Sequence, residues 1–241
     1  SLLDLGVTAI WNDNIEFELD DDLALCDNEG EVTEAVGLRP FLANLMAQVG
    51  YEALREMGDL RPFVLNRAGF AGLQKYAQTW SGDNSSDWRN FHFNLATMLG
   101  MSLSGMPFNG MDVGGFAGPA PAPELFLRWV QNGVFHPRFS IHSVNSDNTV
   151  TEPWLYPSLT PRIRQAIQTR YLFLPTLYAL AARAHFDGEP VVAPLFYHFP
   201  REAALHNCHT QFMLGEGLMA VAITEPDLSE MAIAFPHGTW R

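Results

Sequence analysis

Two short apolar, β-branched runs separated by an amphipathic stretch constrain this chain more than anything else in it. Gly6-Val7-Thr8-Ala9-Ile10-Trp11 reads as a fully buried strand, and Arg61-Pro62-Phe63-Val64-Leu65-Asn66 as a second one. Between them Leu38 to Met57 carries Leu42, Leu45, Met46, Val49 and Leu54 at helical spacing, with Pro40 in a first turn. Strand, helix and strand in that order imply parallel pairing with a right-handed crossover. Both strands deliver a charged side chain at their ends, Asp13 and Arg67, where parallel α/β folds keep their chemistry.

The pattern repeats downstream. Tyr76 to Trp80 breaks at Gly82 and delivers Asp83, just ahead of Asn84-Ser85-Ser86-Asp87, a cluster of helix-capping residues. Read alone, Asp83 is either the cap of the next helix or a working carboxylate at the exit of a strand. Trp88, Phe91, Leu95, Met98 and Leu99 share one face of that helix. The run from Gly105 then ends in Asp112, with Gly114-Gly115 permitting close backbone approach. A helix from Pro123 leads to Val134 to His142, a fourth strand-like exit that ends in a histidine open to a structural or a functional reading. Pro161 to Phe186 reads as a long helix with Ile163, Ile167, Tyr171, Leu174 and Tyr178 on one face and a bend at Pro175. From Pro190 onward short runs, Val191-Val192, Leu195 to Tyr197, Gln211 to Leu214 and Leu218 to Ile223, alternate with turns, as in an antiparallel sheet.

Composition narrows the partners. A net charge of −13 argues against nucleic acid, because little here could neutralise a run of phosphates, and a neutral substrate fits better. No apolar stretch is long enough to span a bilayer, so no membrane partner is expected. Cys26 and Cys208 form neither a disulfide framework nor a zinc pattern, which leaves the compartment undecided with the cytoplasm favoured. The acids Glu16, Glu18, Asp20, Asp21, Asp22, Asp27, Glu29, Glu31 and Glu34 lack the spacing of a calcium loop and read as a solvated face.

Trp11-Asn12-Asp13 with Glu16, then Arg67, then Trp80-Ser81-Gly82-Asp83-Asn84, then Gly110-Met111-Asp112-Val113-Gly114-Gly115-Phe116, then Glu124 to Gln131, then His142 and Glu152-Pro153-Trp154, resemble glycoside hydrolase family 31 in order and spacing. The resemblance implies a retaining α-glycosidase, of α-glucosidase type, on a (β/α)8 TIM-type barrel. This chain then carries the second half of the barrel, residues 1–187, and the start of a C-terminal antiparallel β domain, residues 188–241. By the same resemblance Asp13 is the nucleophile and Asp83 the general acid/base. Arg67, Asp112 and His142 hold hydroxyls of the sugar, and Trp11, Trp80 and Phe116 are pocket walls. The substrate is an α-glucoside oligosaccharide, and no metal or cofactor is required. Sister activities (α-xylosidase, α-galactosidase, α-glucan lyase) and a non-catalytic or sugar-binding fragment stand as alternatives. Two positions depart from the commoner pattern. Ile15 stands where Asn is common, and Ser140 where Arg is common, with Arg138 two residues earlier. A chain that begins at Gly6 to Trp11 is expected to leave that strand as an exposed edge of a four-stranded parallel half barrel, and to be poorly soluble or oligomeric unless the other half is supplied.

Overall fold

The computed structural model describes residues 3–16, 21–28, 30–58 and 61–240, arranged as two compact units that divide between Thr79 and Trp80. Among the described residues no helix is long and apolar enough to cross a membrane.

The first unit is built on two parallel strands, β1 (Ile10–Asn12) and β4 (Val64–Asn66), in register Ile10 to Val64 and Asn12 to Asn66. Between them in sequence lie an antiparallel hairpin, β2 (Leu25–Asn28) with β3 (Glu31–Glu34), and the helix α1 (Ala35–Glu56). A parallel bridge from Leu65 to Gln78 continues the sheet beyond β4, so the segments follow one another in sequence order and β1 pairs only with β4 among the described residues.

Helix α1 starts three residues before the expected Leu38 and holds Pro40 in its second turn. It also turns a different face inward. Leu45, Met46 and Val49 are exposed, and the buried set is Ala35, Ala43, Asn44, Ala47, Gly50 and Leu54. Small residues at positions 43, 47 and 50 let the helix lie close to the sheet: a Cβ on Gly50 would stand 3.2 Å from Ile10 Cδ1. Close approach therefore outweighed the larger apolar stripe that periodicity picks out. Buried Asn66 ties the layers together, its amide donating to Ala43 O (2.9 Å) and its carbonyl accepting from Asn12 (2.7 Å). The acidic stretch forms the β2–β3 hairpin, with Asp21, Asp22 and Asp27 exposed; Glu18, Asp20 and Glu29 lie outside the described residues.

The second unit contains α2 (Trp88–Leu103), α3 (Pro123–Gly133), α4 (Thr160–Asp187) and a three-stranded antiparallel sheet. Its strands are β5 (Val192–Pro194), followed by the one-turn helix α5 (Leu195–His198), then β6 (Gln211–Leu214) and β7 (Leu218–Val221), in order β5-β6-β7. Leu195 to Tyr197, expected as a strand, is that helical turn. One core joins Phe91, Leu95 and Met98 of α2, Phe126 and Trp129 of α3, Ile163 and Leu180 of α4 and Phe212 of β6, with the Phe91 and Trp129 rings stacked at 4.9 Å.

Three expected strands are reduced to backbone bridges. Tyr76 to Trp80 pairs through Gln78, the run to Asp112 through its bridge with Ser140, and the run to His142 through that same Ser140. Pro107 and Pro137 lack the N–H donor that a longer ladder needs, and Gly110 brings no side chain to pack on one. Helix α4 runs unbroken through Pro175 and ends where Gly188 takes a left-handed φ of 73°. Ile163 is buried as expected, but Tyr171 and Tyr178 are exposed, and Ala166, Leu177 and Leu180 carry the remaining contact.

Candidate active site

In the first unit the end of β1 presents Asp13, and the end of β4 presents Arg67, one register step along the parallel pair: Arg67 N donates to Asn12 O at 3.1 Å. The guanidinium forks onto Glu16, Nε to Oε1 at 2.6 Å and Nη2 to Oε2 at 3.0 Å. Nη1 reaches Asp13 Oδ1 at 3.1 Å, and Nη2 reaches Asn14 Oδ1 at 2.6 Å. Asn14 adopts φ 52°, a conformation Asn tolerates, and its N–H donates to Asp13 Oδ1 at 3.0 Å. The hydrogen bond from Arg67 holds the Glu16 carboxyl below its ordinary range. Asp13 is exposed, as is Trp11 beside it, and Ile15 turns inward and is buried. One cation thus collects two carboxylates and an amide at the strand ends.

In the second unit the turn after Trp80 is fastened by Asn84, whose amide donates to Ser81 Oγ (2.8 Å) and Gly82 O (3.0 Å), while Gly82 takes φ 81°. Asp83 stands exposed on this turn. The cap of α2 is Asp87, which accepts from Asn90 N at 2.7 Å, so Asp83 is released from the capping role. The Asn84 carbonyl accepts from Phe116 N and Ala117 N, and Gly115 permits that contact: a Cβ there would lie 2.4 Å from Ser86 Cα. Phe116 and His142, both half-buried, face each other with ring centroids 5.2 Å apart.

Asp112 and Trp80 sit deeper. Asp112 has no exposed surface and Trp80 is 4% exposed. Asp112 Oδ1 accepts from Arg138 Nη1 at 3.1 Å, and Arg138, also buried, lies over the Trp80 ring at 5.3 Å. Burial pushes the Asp112 carboxyl up, opposed by the charges of Arg138 and His142 and reinforced by Asp83; burial likewise pulls Arg138 down, opposed by Asp112. In the sequence Arg138 stands out only as an arginine displaced by two residues from the commoner position, and that displacement within the run to His142 was the available signal. Among the described residues no cluster of three or more His, Cys, Asp or Glu side chains could hold a metal ion.

Comparison with known proteins follows the same lines. The glycosyl hydrolases family 31 TIM-barrel domain matches residues 1–180, and the family's C-terminal domain matches residues 188–241. "Alpha-glucosidase 2" of Bacillus thermoamyloliquefaciens is 35% identical over 98% of this chain and 31% of its own length. Human "Neutral alpha-glucosidase C" is 39% identical over 76% of this chain and 20% of its own length. Among solved structures, a Tris-bound glucosidase II alpha subunit superposes with a TM-score of 0.74 at 37% identity, covering 81% of this chain and 21% of its own. A family 31 alpha-xylosidase from a soil metagenome, complexed with xylose, gives a TM-score of 0.83 at 28% identity over 94% of this chain and 37% of its own. The chain therefore spans about a fifth to a third of the length of the curated relatives it matches. The fold is part of a parallel β/α barrel, not closed among the described residues, followed by antiparallel sheet. The chain belongs to glycosyl hydrolase family 31.

Proposed function

We propose that this chain supplies both catalytic carboxyl groups of a retaining α-glycosidase that releases terminal α-linked glucose. The observation that carries the reading is the pair of unlike environments at the strand ends. Asp13, at the end of β1, has Oδ1 3.1 Å from Arg67 Nη1, whereas Asp83 stands exposed on a turn fastened by its neighbour Asn84.

In the first step the ionised Asp13 carboxylate attacks the anomeric carbon. The bond from that carbon to the glycosidic oxygen breaks, and Asp83 gives its proton to the departing oxygen. In the second step Asp83 takes a proton from water, whose oxygen displaces Asp13 from the same carbon and returns both groups to their starting forms. Retention requires the two carboxyl groups about 5 Å apart across the scissile bond. Arg67 and His142 are assigned to sugar hydroxyls, and Trp11 and Phe116 to the walls. Asp112 and Trp80, being buried, support the pocket from beneath. The division at residues 187 and 188 between barrel and C-terminal domain is supported by Gly188, which ends α4.

The test is hydrolysis of aryl α-glycosides by this chain and by a longer version of the polypeptide. Glucoside should be preferred over xyloside and galactoside, and no turnover by either length would defeat the proposal. Asp13→Ala should abolish turnover of every substrate, while Asp83→Ala should spare the glycosylation step with an α-glucosyl fluoride, whose leaving group needs no proton. Equal losses in Asp83→Ala on the fluoride and on a disaccharide would contradict this division of roles.

A further inference from the structure

We infer that Arg138 is a positioning residue for this site, acting through Asp112, whose charge it maintains beneath the reacting sugar. The inference rests on the glycosidase reading above and deepens it.

Three backbone segments meet at this residue. Ser81 N donates to Gly110 O at 3.0 Å, Arg138 N donates to Asn109 O at 3.1 Å, and Val113 N donates to Ser140 O at 2.9 Å. The segments carrying Trp80, Asp112 and Arg138 therefore lie side by side. The Arg138 side chain crosses from its own segment to the carboxylate on the next and to the ring on the third. It is 6% exposed, with its partner carboxylate at 0%. The fit is close from the backbone outward: a Cβ on Gly110 would fall 2.2 Å from Arg138 O.

The charges around Asp112 are Arg138, His142 and Asp83, and the last two belong to the surface on which the sugar is expected. A carboxylate without solvent contact takes up a proton unless a cation holds it. Asp112 has one oxygen on Arg138, and its other oxygen, Oδ2, is buried with no hydrogen-bond partner among the described residues. The guanidinium is thus the main force against protonation. Held negative, Asp112 acts on the positive oxocarbenium-like transition state more than on the neutral sugar, so its influence falls on kcat rather than on KM. Arg138 touches no substrate in this scheme. Its effect travels through one carboxylate and one indole.

The experiment uses Arg138→Met, Arg138→Gln, Arg138→Lys, Asp112→Asn and the double variant Arg138→Met with Asp112→Asn. All are made in whichever length of polypeptide hydrolyses an aryl α-glucoside, and thermal unfolding is followed alongside. Arg138→Met and Arg138→Gln should lower kcat by about ten- to a hundred-fold with KM moved less than about three-fold. Part of the loss should return as pH is raised and Asp112 ionises without its cation. Arg138→Lys should keep most of kcat and the wild-type pH profile. Adding Arg138→Met to Asp112→Asn should cost less than about a further two-fold, because the charge it maintains is already gone. A second readout does not depend on turnover: the Asp112 carboxyl carbon, observed by NMR in this chain and assigned by its absence in Asp112→Asn, should titrate at higher pH in Arg138→Gln than in the wild type. An unchanged titration overturns the inference, as do multiplicative losses or a loss equal at every pH. If no length of the polypeptide turns over glucoside, the carboxyl titration still decides whether Arg138 governs Asp112, and the glycosidase reading fails separately.

Discussion

Acidification should destabilise the second unit in part through one buried residue, His136. Its imidazole has no exposed surface and packs against Phe212, with ring centroids 6.3 Å apart. Nε2 lies 2.7 Å from Asn132 Oδ1 and donates to it, so Nδ1 is the unprotonated nitrogen. Nδ1 is buried without a hydrogen-bond partner among the described residues. A second proton there would find no acceptor, and the nearby cation Arg170, which donates to the carbonyls of Val134, His136 and Pro137, repels it. Burial, with Arg170 added, pulls the histidine from 6.5 to about 3. The folded state thus refuses a proton that the unfolded chain accepts, and stability present above pH 6.5 is lost as pH falls toward 3. Linkage gives a loss of about 2 kcal/mol between pH 7 and pH 5, and about 3 kcal/mol by pH 4. With a urea dependence of about 2 to 3 kcal/mol per molar, the midpoint should drop by about 1 M between pH 7 and pH 5. Other groups titrate in the same window, so the assay is the difference in midpoint shift between wild type and His136→Gln, which has no proton to gain. If the two midpoints fall in parallel from pH 7 to pH 5, or if the His136 ring titrates near 6.5 by NMR, the reasoning is refuted.

The glycines at the site should be far less tolerant than one on the surface. Gly110→Ala and Gly115→Ala drive a Cβ into backbone, Arg138 O and Ser86 Cα respectively, and each should cost more than about 3 kcal/mol in urea unfolding. Gly100→Ala, inside α2 with nothing within 4 Å, should instead gain about 0.5 to 1 kcal/mol. Because Asp87 is the cap of α2, Asp87→Ala should cost about 1 kcal/mol by thermal melting, while Asp83→Ala should stay within about 0.5 kcal/mol.

How far the sequence was legible depended on what each element packs against. Parallel order was readable because β-branched runs at β1 and β4 bracket one helix, and the sheet follows sequence order. The buried face of α1 was not, because hydrophobic periodicity weights Leu45, Met46 and Val49, whereas a helix pressed to a strand is selected for small side chains, here Ala43, Ala47 and Gly50. Tyr171 and Tyr178 of α4, which periodicity groups on one face with the buried Ile163, are exposed and line an open groove of about 630 Å³ with Phe108 and Leu174. At the site, the strand-end addresses of Asp13 and Arg67, and the places of Asp83 and His142 after bridged segments, came from local pattern. That Arg67 binds Asp13, and that Asp112 faces a buried arginine, depends on which segments lie adjacent, and spacing along one chain does not encode that.

Ile15 tests how the nucleophile loop is held. The commoner family pattern places an amide at this position, where Ile15 offers no hydrogen bond to the loop. In the structure the loop is secured otherwise: Arg67 reaches Asp13, Asn14 and Glu16, Asn14 N–H donates to Asp13, and Ile15 alone of the four turns inward, at 7% exposure. The polar residues orient the carboxylate, and the apolar one anchors the loop. Restoring the commoner residue should therefore harm this chain. Ile15→Asn forfeits about 2 kcal/mol of apolar burial and adds the cost of an amide taken from water, so a loss of about 3 kcal/mol is expected in urea unfolding. Ile15→Val should lose about 1 kcal/mol. Were the inward position chiefly a missing hydrogen-bonding site, the amide would find a partner at Asp13 or Arg67 and Ile15→Asn would match or exceed the wild type in stability. That result would return the loop to the commoner arrangement and remove the anchoring role assigned to Ile15.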